Sequence, residues 1–376
     1  MRVLTVNPGS SSVKFSLVEA DDTVRARVEL STGGADREAE RVLASVARLP
    51  PPDAVGIRFV HGGRDYTRPV VIDDEVAERL HALADLAPLH QPLSLYALGE
   101  IRRAFPDVPA VACFDTAFHA TLPEAAATYA LPAEWRERYG LRRYGFHGLS
   151  HAYAARRAAE LLDADLSDLR LVVCHLGAGA SLAAVAGGRS VDTTMGFTPL
   201  DGLVMATRAG AIDPGIPLWL LAHGVPAEEL RDAFEHRSGL RALAGTGDMR
   251  TLRSRAAAHD EEAVSALAVY HHRLRGQAAA MTAALGGLDA LVFTGGVGEH
   301  APETRRRLAA DLAYLGARLD PERNAAARGD SVISPPDAAV AAVVVTARED
   351  LEIAAGTRSA LSRQRSDLGR GPRRVL

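Results

Sequence analysis

Two stretches of this chain, nearly half its length apart, follow one plan. Residues 3–13 read Val-Leu-Thr-Val-Asn-Pro-Gly-Ser-Ser-Ser-Val, and residues 172–182 read Val-Val-Cys-His-Leu-Gly-Ala-Gly-Ala-Ser-Leu. Each is an apolar strand, a tight loop of small residues and a second strand. A repeat of this kind predicts two related domains, each opening with a hairpin whose turn exposes backbone N–H groups to an anion. Two ordinary glycine-containing hairpins explain the pair equally well, so the ligand stays open at this point. The length of 376 residues agrees with two domains, because single cores stop growing at about 250–300 residues. Two lobes with a cleft are expected.

Further strand-like apolar runs lie at residues 54–60, 108–114, 169–175, 181–186, 290–294 and 340–346. Helical periodicity appears between them, at 37–48, 74–87, 93–105, 150–162, 226–235, 261–285, 302–315 and 350–361. Strands alternating with helices imply an α/β fold with partly parallel sheets. An aromatic, glycine-rich loop at 145–149 marks the join, giving a first domain of 1–148 plus 352–376 and a second of 149–351. The segment after Ser362 is polar and arginine-rich and is expected to fray.

The formal net charge of −4 argues against a footprint for nucleic acid or an anionic membrane. No apolar run approaches membrane-spanning length, and the first one, at 3–6, meets Asn-Pro-Gly at once, too short for a signal-peptide core. The two cysteines, Cys113 and Cys174, sit in separate apolar runs and read as buried thiols of a reducing cytosol. A soluble cytoplasmic protein acting on small molecules is expected. The chain holds one lysine, Lys14, against 42 arginines, and two asparagines, Asn7 and Asn324. A GC-rich genome that avoids AAN codons explains the scarcity, which makes Asn7 and Lys14 in one loop stand out.

That loop, from Asn7 to Lys14, joins hydroxyls such as Ser10 and Ser12 to a cation, and suits phosphate oxygens without being a P-loop. Residues 291–300 lead from a strand through three glycines towards a helix beginning near Pro302, another turn that lets a ligand approach the backbone. Asp115 ends a strand, either as a site carboxylate at the sheet's C-terminal edge or as a helix cap. His147 lies in an aromatic loop, while His119 and His151 read as scaffolding. Arg58 interrupts an apolar strand and Arg208 sits in a glycine-containing loop, costly positions unless an anion is near.

Taken together, these segments resemble the acetate/propionate kinase family of the actin-like ATPase superfamily. The likeness runs from Asn7-Pro-Gly-Ser-Ser-Ser-Val-Lys14 to Arg348-Glu-Asp-Leu-Glu-Ile-Ala354, through Arg58-Phe-Val-His-Gly-Gly63, Phe114-Asp-Thr-Ala-Phe-His119, Arg143-Tyr-Gly-Phe-His-Gly148, Cys174-His-Leu-Gly177 and Phe293-Thr-Gly-Gly-Val-Gly-Glu299. It implies two duplicated actin-like (ribonuclease H-like) domains and reversible in-line transfer of the ATP γ-phosphoryl group to acetate or another short-chain carboxylate. ATP is then a co-substrate, Mg²⁺ or Mn²⁺ the cofactor and a homodimer the assembly.

By matching motifs, Arg58 would hold the substrate carboxylate, and Arg208 and His147 would stabilise the phosphoryl group. Asp115 would position the acceptor or fix an arginine, since acetate is already ionised at neutral pH. Val60, Leu89, Phe146 and Pro199 match the acyl pocket, and Asn7 and Glu349 the metal positions. Lys14, Ser10, Ser12, His175, Leu176, Gly177, Ala178 and Gly179 would meet phosphates, with Asp248, Met249, Arg250, Gly296, Val297, Gly298, Glu299 and His300 near adenosine. The family's asparagine in His-Leu-Gly-Asn-Gly is Ala178 here. Related alternatives are a propionate or butyrate kinase, a pyrophosphate-dependent acyl kinase, and a non-catalytic actin-like nucleotide-binding protein.

Overall fold

A computed structural model describes residues 1–9, 12–31, 50–88 and 90–369. The helix expected at 37–48, Ser10, Leu89 and the chain beyond 369 lie outside the described residues. The chain divides into two compact units, Met1–Phe118 with Arg348–Leu376, and His119–Ala347. The division lies upstream of the 145–149 loop: His119 and Thr121 bond to Ser190, and Arg143 to the carbonyls of Thr193, Thr194 and Met195, all within the second unit.

The first unit holds strands β1 (Val3–Pro8), β2 (Ser12–Val18), β3 (Val24–Ser31), β4 (Ala54–Phe59), β5 (Val70–Val71) and β6 (Ala110–Phe114) in the order β3-β2-β1-β4-β6-β5. The second holds β7 (Arg170–Leu176), β8 (Ala180–Ala186), β9 (Arg189–Thr193), β10 (Ala290–Thr294), β11 (Ser331–Val332) and β12 (Ala341–Val344) in the order β9-β8-β7-β10-β12-β11. Directions match as well as order. In the first unit β1, β4 and β6 run parallel, with β2, β3 and β5 antiparallel to their neighbours. In the second, β7, β10 and β12 are parallel and β8, β9 and β11 antiparallel. The repeated hairpins open these two sheets as β1–β2 and β7–β8.

The central strands are apolar on both faces, as parallel strands covered by helices must be. Val55, Ile57 and Phe59 on β4 pack with Leu4, Val6 and Phe114, while Leu171 to Cys174 and Ala290 to Phe293 are fully buried. The helix Glu349–Gly369 lies against the first sheet at Gly56, where an added Cβ would fall 2.6 Å from Ile353 Cγ2 and against Thr357 Oγ1. That close approach fixes the helix start, and with it Glu349.

The C-terminal segment does not fray at Ser362. The helix runs on to Gly369 because Arg363 Nη2 donates to the Pro69 carbonyl at 3.0 Å and Nη1 to Ser359 Oγ one turn back. The glycines after β10 also differ from expectation, being themselves helical over Gly295–His300, with a second helix at Pro302–Asp311. Gly295 makes this start possible, with φ +77° and a Cβ position 2.8 Å from the Leu176 carbonyl oxygen.

Candidate active site

In the first unit the parallel register sets Val6 beside Ile57 and Phe59 beside Phe114, so Asn7, Arg58 and Asp115 come together at the C-terminal edge of β1, β4 and β6. Arg58 meets Asp115 with both arms of its fork, Nε to Oδ1 at 2.9 Å and Nη2 to Oδ2 at 2.5 Å. Its Nη1 donates to the Pro8 carbonyl at 2.9 Å and to Asn7 Oδ1 at 3.2 Å. Asn7 Nδ2 in turn donates to Glu349 Oε2 at 2.6 Å. The side chains of Arg58 and Asp115 are only 12% and 2% exposed. Burial works against the guanidinium charge, but the neighbouring Asp115 and Glu349 carboxylates more than offset it and hold the Arg58 pKa above its ordinary value.

Asp115 is thus a site carboxylate at the sheet edge, the bidentate partner of Arg58. Breaking such a buried pair leaves an uncompensated charge at a cost of about 3–5 kcal/mol. Ser12 and Lys14 turn instead towards β3, where Ser12 Oγ donates to Glu29 at 2.8 Å and Lys14 pairs with Glu29 at 3.8 Å. Val60 is buried at the end of β4.

The second unit gathers four histidines. His147 precedes the helix Gly148–Leu161 in a left-handed conformation, φ +57°, uncommon for a residue with a Cβ. Its ring stacks on His175, centroids 4.3 Å apart. Ser181 Oγ, paired across the hairpin with His175, lies 3.0 Å from His147 Nδ1 and 2.7 Å from His151 Nε2. His175 Nδ1 meets Ser150 Oγ at 2.7 Å. His119 Nε2 faces the Phe146 carbonyl at 3.0 Å and its Nδ1 meets Ser190 Oγ at 2.8 Å. Burial pushes the His119 pKa down to about 4, and burial with the adjoining His119 and His175 holds that of His151 well below the ordinary histidine range.

These contacts assign protons. A carbonyl only accepts, so neutral His119 carries its hydrogen on Nε2. His151 Nδ1 is buried without a hydrogen-bond partner. An orphaned N–H is rarer than an orphaned acceptor, so His151 is protonated on Nε2 and donates to Ser181. The Ser181 hydroxyl is then able to give its hydrogen to His147 Nδ1, an arrangement that leaves His147 Nε2 as a donor. A Cβ at Gly179 would lie 3.3 Å from that Nε2 and 3.8 Å from Arg208 Nη1, so the glycine sits where the two side chains come together. Arg208 is half-buried and makes no ion pair among the described residues. Burial lowers its pKa, with only the Glu235 field opposing.

A neighbouring pocket of about 340 Å³ is lined by Gly177, Ala178, Asp248, Met249, Arg250, Gly296, Val297 and His300, all singled out from sequence, and by Gly247, Arg253 and Ala301, which were not. Its size fits a small-molecule ligand. Asp248 caps the helix Met249–Ala257 through Arg250 N, a contact that lowers the Asp248 pKa. Gly298 is buried and Glu299 Oε1 accepts from Ala347 N, so neither lines the pocket. Leu176 is fully buried and pairs with Ala180 across the hairpin, and Phe146 is buried while Pro199 is half-buried.

Sequence reading missed the post behind this pocket. Arg305, 1% exposed, donates to the carbonyls of Gly298 and Glu299, both at 2.8 Å, and to Asn324 Oδ1 and O at 2.8 and 2.7 Å. The second of the chain's two asparagines thus anchors the turn whose glycines had been noticed. The scarcity of asparagine was the available signal.

The model of the Acetokinase family matches residues 40–355. An acetate kinase of Clavibacter michiganensis subsp. michiganensis is 45% identical over 384 residues, covering 94% of this chain and 97% of the relative. The crystal structure of Porphyromonas gingivalis acetate kinase superposes with a TM-score of 0.87 at 35% identity, covering 96% of this chain and 99% of that one. A propionate kinase from Francisella tularensis gives a TM-score of 0.87 at 34% identity, covering 95% and 99%.

Proposed function

The chain belongs to the acetokinase family, and from that premise we propose that it carries out Mg²⁺-dependent, reversible in-line transfer of the ATP γ-phosphoryl group to acetate, giving acetyl phosphate and ADP. Membership makes it a phosphotransferase with a carboxyl-group acceptor, built on two actin-like ATPase domains. The observation that carries the proposal is the half-buried Arg208 guanidinium, without an ion pair among the described residues, meeting the His147 ring at Gly179, where the Nδ1 contact with Ser181 allows Nε2 to act as a donor. Phosphoryl transfer asks the protein chiefly for positioned positive charge and hydrogen-bond donors, because the three equatorial oxygens stay negative throughout. Arg208 and His147 supply one of each.

On the first unit, Arg58 serves the acetate carboxylate and Asp115 serves Arg58. Acetate needs no deprotonation at neutral pH, and both Asp115 oxygens already accept from Arg58, so Asp115 orients the fork. The remaining Arg58 hydrogen bonds tie it to Pro8 and Asn7. Val60, Leu89, Phe146 and Pro199 are assigned to the acyl chain, with discrimination of about 1–3 kcal/mol per methylene. Propionate is therefore a second substrate. Asn7 and Glu349 offer an amide and a carboxylate oxygen, hard donors of the kind Mg²⁺ takes from proteins while keeping waters and substrate phosphates. Among the described residues no group of three or more His, Cys, Asp or Glu forms a competing metal site. Bound there, the ion would neutralise charge on the phosphate oxygens.

The pocket beside Ala178 supports a nucleotide donor, since pyrophosphate would leave its 340 Å³ without a tenant. Ala178 is exposed and its carbonyl accepts from Ala206 N, so a longer side chain there would reach into the pocket mouth. Ala178→Asn is expected to lower the KM for ATP about tenfold, the worth of one hydrogen bond to a charged phosphate, leaving the KM for acetate unchanged. Initial rates at varied ATP check this; an unchanged KM removes Ala178 from the donor site.

The helix Gly215–Ala222 buries none of its residues and exposes Ile216, Leu218, Trp219 and Leu221, support for a homodimer formed through this face. Among the described residues no helix is long and apolar enough to cross a membrane. The buried free thiols of Cys113 and Cys174 suit a reducing compartment, and the proposal places the protein in the cytoplasm.

The deciding experiment traps acyl phosphate with hydroxylamine. Acetate, propionate and butyrate are each offered with ATP or pyrophosphate in the presence of Mg²⁺. Acetohydroxamate from acetate and ATP is expected at the highest kcat/KM, and a well-folded protein that yields no hydroxamate from any pairing overturns the proposal.

A further inference from the structure

The second unit carries a larger groove that phosphoryl transfer does not use. It measures about 410 Å³ and lies along the helices Glu261–Leu285 and Pro302–Asp311, reaching Ala256 at the end of Met249–Ala257. Its lining combines apolar Leu267 and Ala268 with His271, Arg275, Arg307 and Asp311. Two guanidinium groups share a single carboxylate there, Arg275 at 3.9 Å and Arg307 at 3.6 Å from Asp311. Both distances exceed a direct hydrogen bond, and although Arg275 Nη2 meets His272 Nδ1 at 3.2 Å, the two guanidiniums keep further N–H donors and leave the groove net positive. His271 Nδ1 is buried in the same place without a hydrogen-bond partner. Leaving such an atom unsatisfied is unfavourable, and a bound group that reaches it removes the cost.

We propose that this groove is a second binding site, taking a small organic anion whose phosphate or carboxylate head lies between Arg275 and Arg307 and whose apolar body rests on Leu267 and Ala268. The volume falls within the range of small-molecule sites. An inorganic anion would leave the apolar floor wet, and a neutral apolar molecule would leave the arginines without an anion. The ligand therefore carries both parts. The site is separate from the nucleotide pocket, with which it shares no lining residue.

Phenyl phosphate serves as probe, titrated calorimetrically into the full chain saturated with ADP and Mg²⁺. Binding is expected despite the nucleotide, about tenfold tighter than that of inorganic phosphate or of phenol. The double variant Arg275→Ala/Arg307→Ala is expected to weaken it at least about tenfold while leaving kcat unchanged, since both side chains are half-exposed and outside the catalytic set. His271→Phe, which removes the orphaned atom, separately weakens binding. Absence of heat at about 10 mM probe, displacement of the probe by ADP, or equal affinity in the double variant overturns the site.

Discussion

Arg208→Ala is expected to lower kcat by at least about two orders of magnitude while leaving the thermal transition where it is or raising it. The two halves of this expectation come from one fact. The guanidinium is half-buried, its pKa is lowered by that burial, and among the described residues it makes no ion pair. A cation held in this way costs the folded chain energy and is retained for an anion that arrives later. In the proposed role, removing it takes away charge stabilisation of the equatorial oxygens in transfer, and it relieves the fold of an uncompensated charge. Arg208→Lys keeps the charge and loses the fork, so its kcat should fall between the two. Steady-state kinetics beside calorimetry check the pair of signs. Turnover at the wild-type rate removes Arg208 from the mechanism, and a large loss of stability shows that it is a structural residue.

Arg58 and Arg208 were legible because a charge interrupting an apolar strand, or set in a glycine-containing loop, demands an explanation. Their partners were not. That Asp115 faces Arg58 follows from the parallel register of β4 with β6, which spacing along the chain does not encode. Ser181 escaped notice for the same reason: it looks like one more small residue of a hairpin until pairing sets it opposite His175 and beneath His147. The repeated hairpins predicted two domains, and the central strands were visible as apolar runs. Strand β3 was not, since Val24-Arg-Ala-Arg-Val28 alternates apolar with charged residues and gives no continuous run. β5 and β11 are two residues each, too short for any period. The C-terminal helix outlasted its composition because Arg363 finds a carbonyl at Pro69, nearly three hundred residues away in sequence.

Acidification from pH 7 to 5 is expected to destabilise the second unit well before its carboxylate pairs protonate. His119 and His151 are fully buried and neutral, with folded pKa values lowered by burial, to about 4 for His119. In the unfolded chain each titrates near 6.5. The unfolded state therefore binds more protons between these values, so stability is complete above about pH 6.5 and is lost as the pH falls towards 4. Each such histidine contributes a slope of up to about 1.4 kcal/mol per pH unit, and the pair about twice that. Over the part of the window between 6.5 and 5 His119 alone accounts for a loss of about 2 kcal/mol, a fall in Tm of roughly 4–8 °C for a unit of this size, and His151 acts in the same direction. Carboxylates such as Asp289 and Asp330, whose pKa values are lowered by Arg170 and Arg157, contribute only below their ordinary range near 4. Calorimetric scans at pH 7, 6 and 5 without nucleotide measure the slope. His119→Gln, whose amide can donate to the Phe146 carbonyl as Nε2 does, should flatten it by about one proton. A transition that stays level from pH 7 to 5 would mean that these rings charge in place, and the proton assignment leading from His151 through Ser181 to His147 Nε2 would fall with it.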